Sequence, residues 1–204
     1  MKNTKKLLKN IVGLLICLLL VNGCSKKESN SELQQTKPTI DLPKIKEVPS
    51  FSGTNFDGSK FSSQSLKGKV WLASFMFTSC GDICPKLNSQ LSALYGEFKD
   101  NANLNFVSIS VDPDNDTQEV LKKYAERYGA KPNKWAFLRM SIDTVKSLSL
   151  EGFRIASLDA PLDHSKRIVL VDSEGQIRGY YDGLDSQDVD KLREVLKKML
   201  ISIH

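Results

Sequence analysis

From residue 51 onward the apolar positions fall into runs with two different periods. Phe51 to Phe61 reads as a short hairpin, with Asp57-Gly58 supplying the turn. Val70 to Phe77 is a continuous apolar run of the length of a buried strand. Leu87, Leu91, Leu94, Tyr95 and Phe98 then recur at helical spacing and predict a helix from about Pro85 to Phe98. Leu104 to Val111 is the next strand. Asp116, with Glu119 three residues on, has the pattern of a capping box, so a helix is expected from there to about Tyr128, stopped by Gly129. A short strand at Trp135–Leu138 and a helix from about Ile142 follow. After an irregular stretch to His164, Arg167–Val171 and Gln176–Tyr181 form a hairpin across Asp172-Ser173-Glu174-Gly175. A last amphipathic helix runs from about Ser186 to Leu200.

Strands and helices in this order predict an α/β fold with a central mixed β-sheet covered by helices on both faces. The order is that of a thioredoxin-like fold with an added N-terminal hairpin and an inserted segment. The domain is expected over residues 49–204, a length that suits one domain.

The pattern ahead of residue 49 is different. Lys2, Lys5, Lys6 and Lys9 precede an apolar stretch from Ile11 to Val21. Eleven helical residues span roughly 16 Å against about 30 Å of bilayer hydrocarbon, too short to cross a membrane comfortably. A basic head and a short apolar core read as a secretory signal over residues 1–23. Its end, Leu20-Val21-Asn22-Gly23-Cys24-Ser25, resembles a bacterial lipobox, which implies cleavage before Cys24 and lipidation of its sulfur; the alternatives are an ordinary signal peptide with a chance cysteine and an uncleaved anchor. Residues 24–48 are rich in Lys, Glu, Ser, Gln, Asn and Pro and read as a flexible tether. The expected product is an exported, membrane-anchored lipoprotein facing the periplasm or the cell exterior.

Removing the signal alters the charge. The whole chain carries +5, and residues 1–23 hold four lysines and no acid, so the mature protein carries +1. Nucleic-acid binding thereby loses its electrostatic argument. The cysteine count changes too. Cys17 leaves with the signal and Cys24 would carry lipid, so Cys80 and Cys84 remain as the free thiol chemistry of an exported protein.

Those two cysteines stand where the Val70–Phe77 run stops, in Cys80-Gly81-Asp82-Ile83-Cys84-Pro85. Proline is best tolerated in a first turn, so the helix is expected to start at or near Cys84 with Cys80 in the preceding loop. Both sulfurs then lie near a helix N-terminus, which favours thiolate, the form that attacks disulfides and binds soft metals. A structural disulfide would close a loop too small to add much stability. A zinc site lacks a second cysteine pair. The chain holds two histidines, His164 and His204. His164 lies just before the Arg167–Val171 strand, in a loop that in a thioredoxin-type sheet packs beside the cysteine turn. Two thiolates and an imidazole form a soft set that suits copper, as Cu(I) or Cu(II), with sulfur favouring Cu(I).

These residues resemble the SCO/SenC family of copper proteins that help assemble cytochrome c oxidase. The resemblance rests on Phe75 to Pro85, on Val107 to Thr117, on Asp163-His164-Ser165 and on the hairpin Val169 to Gly175. It implies a thioredoxin-like domain that binds copper through Cys80, Cys84 and His164. It implies as partners the dinuclear copper centre of oxidase subunit II, or another cuproprotein, and thiol reductants of thioredoxin type acting on a Cys80–Cys84 disulfide. Two positions depart from the family pattern: Gly81 replaces the proline that often follows the first cysteine, and Arg139-Met140 replaces a frequent Thr-Gly.

The rival reading is an exported thiol–disulfide oxidoreductase that carries no copper, with Cys80 the nucleophile. A peroxidase of the same fold would want proline and threonine where Ala73 and Phe77 stand. Asp112, Asp114 and Asp116 look like a calcium loop, but Thr117 and Lys123 occupy the positions that need glycine and glutamate. A solvated turn and a helix cap are expected there instead. Asp82 is read either as tuning the thiols or contacting a partner, or as an exposed loop carboxylate.

Overall fold

The computed structural model describes residues 41–156 and 165–202. The signal segment, Cys24, His164 and His204 lie outside the described residues. The strands are β1 (Lys46–Glu47), β2 (Ser52–Asn55), β3 (Lys60–Ser62), β4 (Val70–Met76), β5 (Leu104–Ser110), β6 (Trp135–Arg139), β7 (Arg167–Val171) and β8 (Gln176–Asp182). The helices are α1 (Ile83–Phe98), α2 (Gln118–Arg127), α3 (Ile142–Ser147, continued by a π turn over Leu148–Gly152) and α4 (Ser186–Ser202).

All eight strands form one sheet in the order β1-β8-β7-β4-β5-β6-β2-β3. β4, β5 and β6 are parallel, and the pairings to either side of them are antiparallel, which makes the expected mixed sheet. β4-α1-β5 and β5-α2-β6 step across the sheet in the same direction. Right-handed crossovers therefore lay both helices on one face.

The two-residue period of the strands sorts the core. Val70, Leu72 and Met76 of β4, Leu104 and Phe106 of β5 and Trp135 and Phe137 of β6 face α1, α2 and α4. Trp71, Ala73, Phe75, Val107, Ile109 and Leu138 face the α3–π segment and the N-terminal hairpin. The hairpin closes as expected: Gly58 takes φ +88°, a left-handed value that favours glycine, and its N–H donates to the Asn55 carbonyl at 2.8 Å.

Two expectations fail. Residues 41–48, the end of the expected tether, belong to the folded body. β1 pairs with β8, and Val48 N–H donates to the Gly175 carbonyl at 2.9 Å. Arg178, ion-paired with the buried Asp172 at 2.8 Å, also donates to the carbonyls of Leu42 and Pro43. The segment is thus held by backbone pairing, by Arg178, by the Lys44–Glu174 ion pair, and by Leu42 and Val48 packing against the core. The second correction is at α2, whose cap is Thr117: its hydroxyl accepts from Val120 N–H. Asp116 is not a solvated capping residue. It is completely buried, for a reason that lies at the site.

Candidate functional site

β4 delivers the chain to one end of the sheet, where Phe77, Thr78 and Ser79 turn it into Cys80. α1 begins at Ile83, so Cys84 and Pro85 occupy its first turn, as expected. Proline is harmless there because the first N–H groups of a helix have no partner within it. Cys84 is fully buried and Cys80 nearly so, at 9 % exposure, and both are free thiols.

The Cys80 sulfur fills the position of a helix cap. Cys84 N–H donates to it at 3.3 Å. Burial pushes the Cys80 thiol up, but the N–H groups of Cys84, Asp82 and Ile83 and the Cys84 thiol together hold it below its ordinary range. Cys84 behaves oppositely. Burial pushes it up to about 12; Phe77 N–H partly offsets this, while Cys80 and the Asp116 carboxylate add to it. Cys80 is therefore the more readily ionised of the two sulfurs and Cys84 the one that keeps its proton.

This asymmetry has a measurable outcome. Alkylation of the reduced chain by iodoacetamide is expected to fall first on Cys80, with a rate that rises with pH and levels off below the ordinary thiol range of about 8.5. Cys84 is expected to stay unmodified until the pH nears 12. Equal modification of both at neutral pH, read by peptide mass spectrometry, would contradict the asymmetry.

Asp82 is an exposed carboxylate ion-paired with Lys86 one turn on, so its side chain belongs to the surface; its backbone N–H is what reaches Cys80. The third proposed ligand, His164, lies outside the described residues. Ser165, its neighbour, is buried, and Arg167 N–H donates to its hydroxyl at 3.1 Å. β7 runs antiparallel to β4 with Trp71 opposite Val171 and Ala73 opposite Val169. Continuing that register sets Arg167 level with Phe75, so β7 enters the sheet at the end where β4 gives way to the cysteine loop. Gly183 ties this entry to α1. Its N–H donates to the Lys166 carbonyl at 2.8 Å, and a Cβ on it would collide with Leu87 Cδ1, three residues beyond Cys84.

Sequence reasoning missed Asp116 and Thr78. Asp116 accepts from Thr78 N–H at 3.1 Å, from the Thr78 hydroxyl, and from the Ser110 hydroxyl at 2.5 Å. A signal was present in β5. Its helix-facing positions run Leu104, Phe106, Ser108, Ser110; Ser108 is paired with Ser74 and Trp135, so the buried Ser110 at the strand end is the position that announces a further polar partner.

The SCO1/SenC family model matches residues 41–200. The SCO1 protein homolog of Bacillus subtilis is 34% identical over 166 residues, covering 78% of this chain and 83% of the relative. Among solved structures, a SCO1/SenC family lipoprotein from Bacillus anthracis superposes with a TM-score of 0.68 at 29% identity, covering 75% of this chain and 94% of the other. Arabidopsis thaliana ScoI with copper bound gives 0.61 at 30% identity, covering 75% and 98%. BsSco, a member of the Sco family of cytochrome c oxidase assembly proteins with a disulfide switch, gives 0.67 at 30%, covering 79% and 96%. With its thioredoxin-like sheet, its cysteine turn and these matches in agreement, the chain belongs to the SCO1/SenC family.

Proposed function

We propose that this chain is a copper-binding metallochaperone with thiol-redox capability, which delivers copper to the dinuclear copper centre of cytochrome c oxidase or maintains the thiols of that centre. Copper is the cargo, with Cys80, Cys84 and His164 as its ligands. The observation that carries this reading is that two free, buried sulfurs sit at the sheet end where the strand following His164 begins. Two sulfurs and an imidazole are a soft donor set that suits copper. The copper-bound Arabidopsis relative and the oxidase-assembly role of BsSco support the same assignment.

The two chemistries follow in sequence. A Cys80–Cys84 disulfide offers no thiolate to a metal. An exported dithiol of thioredoxin type supplies two electrons and two protons, leaves as its own disulfide, and returns both sulfurs to the thiol state. Only then can the site take up copper, and copper binding releases the thiol protons again. The acidity difference between the two cysteines also fits the rival reading, an exported thiol–disulfide oxidoreductase without copper.

A copper titration separates the two. The reduced chain is expected to take up about one equivalent of copper, and the disulfide form none. A reduced chain that exchanges disulfides but retains no copper would leave only the oxidoreductase.

The lipobox-like residues before Cys24 support export and a lipid anchor, with the domain outside the cytoplasmic membrane and near membrane-bound cuproproteins. Recovery of the mature chain in a soluble, unlipidated fraction would overturn that part of the reading.

A further inference from the structure

The strand that leads to the cysteines ends over a buried carboxylate. Asp116 has no exposed surface. Burying a carboxylate is costly unless donors are aimed at it, and here three are. Two belong to Thr78, two residues before Cys80: its N–H, at 3.1 and 3.2 Å from the two carboxylate oxygens, and its hydroxyl. The third is the Ser110 hydroxyl, at the end of β5. The carboxylate itself is fixed from behind, because Asp116 N–H donates to the Asp112 carbonyl at 2.8 Å and closes the turn that precedes α2.

Ser79, Gly81 and Asp82 of the loop it grips are exposed, Cys80 N–H donates to the Phe77 carbonyl at 3.3 Å, and the Cys80 sulfur in turn accepts from Cys84 N–H at 3.3 Å. Both cysteines pack in the same core cluster, but Cys84 belongs to α1 while Cys80 stands in the loop ahead of it. Of the two, Cys80 is the one whose backbone is set by the loop.

We propose that Asp116 is a positioning residue: through Thr78 it fixes the turn that sets the Cys80 sulfur against the first turn of α1, and so favours closure of the Cys80–Cys84 disulfide. This rests on the redox half of the function proposed above. Closure joins the two sulfurs, passes two electrons to an external disulfide, and leaves the two thiol protons on the dithiol so formed. Holding both sulfurs in place raises their effective concentration toward each other, so loosening the clamp lowers the closure constant and makes the couple more oxidising.

The test is the disulfide–dithiol equilibrium of the full-length chain in dithiothreitol redox buffers, for the parent and for Thr78→Val, Thr78→Ser and Asp116→Asn. Thr78→Val keeps the carboxylate and removes one clamp bond; it is expected to lower the closure constant about threefold. Asp116→Asn turns an amide donor toward donors and is expected to lower it about tenfold, a rise of about 30 mV. Thr78→Ser keeps both donors and is expected to match the parent. A merely structural role would shift unfolding midpoints and leave the constant of the folded protein unchanged. A closure constant for Thr78→Val equal to that of the parent, or equal losses in Thr78→Ser and Thr78→Val, would overturn the clamp, whether or not Asp116→Asn folds. A parent that shows no reversible closure at all would instead remove the redox reading, and the clamp with it.

Discussion

His164→Ala is expected to bind copper more than about 100-fold more weakly than the parent while its Cys80–Cys84 disulfide still forms and is still reduced. Loss of a group that merely orients a ligand costs roughly 10–100-fold in metal affinity, so loss of a ligand itself lies beyond that range. Cys84→Ala and Cys80→Ala are expected to lose copper at least as strongly, and also to lose the disulfide. The histidine variant is therefore the informative member of the series. Neither sulfur is touched, and thiol exchange has no required part for an imidazole. The described residues place the start of β7 at the cysteine end of the sheet, level with the last residues of β4. The chain thus re-enters the sheet at its cysteine end shortly after position 164. Isothermal titration of the reduced variant, paired with a dithiol-reduction assay, checks both halves at once. If His164→Ala bound copper as tightly as the parent with disulfide reduction intact, the metal site would not include His164 and the oxidoreductase reading would prevail.

Much of the architecture was legible because continuous apolar runs mark strands buried on both faces, as in β4, while the helical spacing from Leu87 to Phe98 marks α1. The cysteine site was legible for a local reason: Pro85 can sit only in a first turn, which fixes where α1 starts and leaves Cys80 ahead of it. What stayed hidden depends on partners remote in sequence. Asp116 looks like a cap because Glu119 follows it, yet Thr78, 38 residues earlier, takes its carboxylate into the interior. Thr117, next along, then serves as the cap, since its hydroxyl can meet the free N–H of Val120 equally well. Residues 41–48 have the composition of a linker, and composition is silent about an unpaired strand edge. β8 offers one, and Arg178 adds side-chain donors to the Leu42 and Pro43 carbonyls. Such a segment is ordered by the strand edge it pairs with, and Leu42 and Val48 add packing against the core.

Phe153→Ala is expected to destabilise the fold by about 3–5 kcal/mol, a large share of the 5–15 kcal/mol that holds a typical domain together. Phe153 is completely buried just beyond the π turn, with its ring 5.3 Å from that of Phe75, 5.9 Å from Trp71 and 6.4 Å from Phe51. All three contacts are edge-on, so truncation removes favourable ring geometry as well as buried area. The site can collapse little. Its backbone is fixed by the 2.7 Å bond from Phe153 N–H to the Leu148 carbonyl and by the Tyr180 hydroxyl, which donates to the Phe153 carbonyl at 2.9 Å. Phe75 and Trp71 lie on β4, the central strand, and cannot move inward without breaking pairs with β5 and β7. A cavity that cannot close carries the upper part of the cost. Phe153→Leu, which keeps most of the volume, is expected to lose clearly less. Urea unfolding should show a lower midpoint at an unchanged slope, the mark of lost stability without a change in the surface exposed. The aromatic cluster lies on the sheet face opposite the cysteine helix, so the folded variant is expected to bind copper with parental affinity. A loss under about 1 kcal/mol would mean that the α3–π segment repacks freely over the sheet. A changed copper affinity would mean that the two faces are coupled through β4, whose residues alternate between them and whose end carries the cysteine loop.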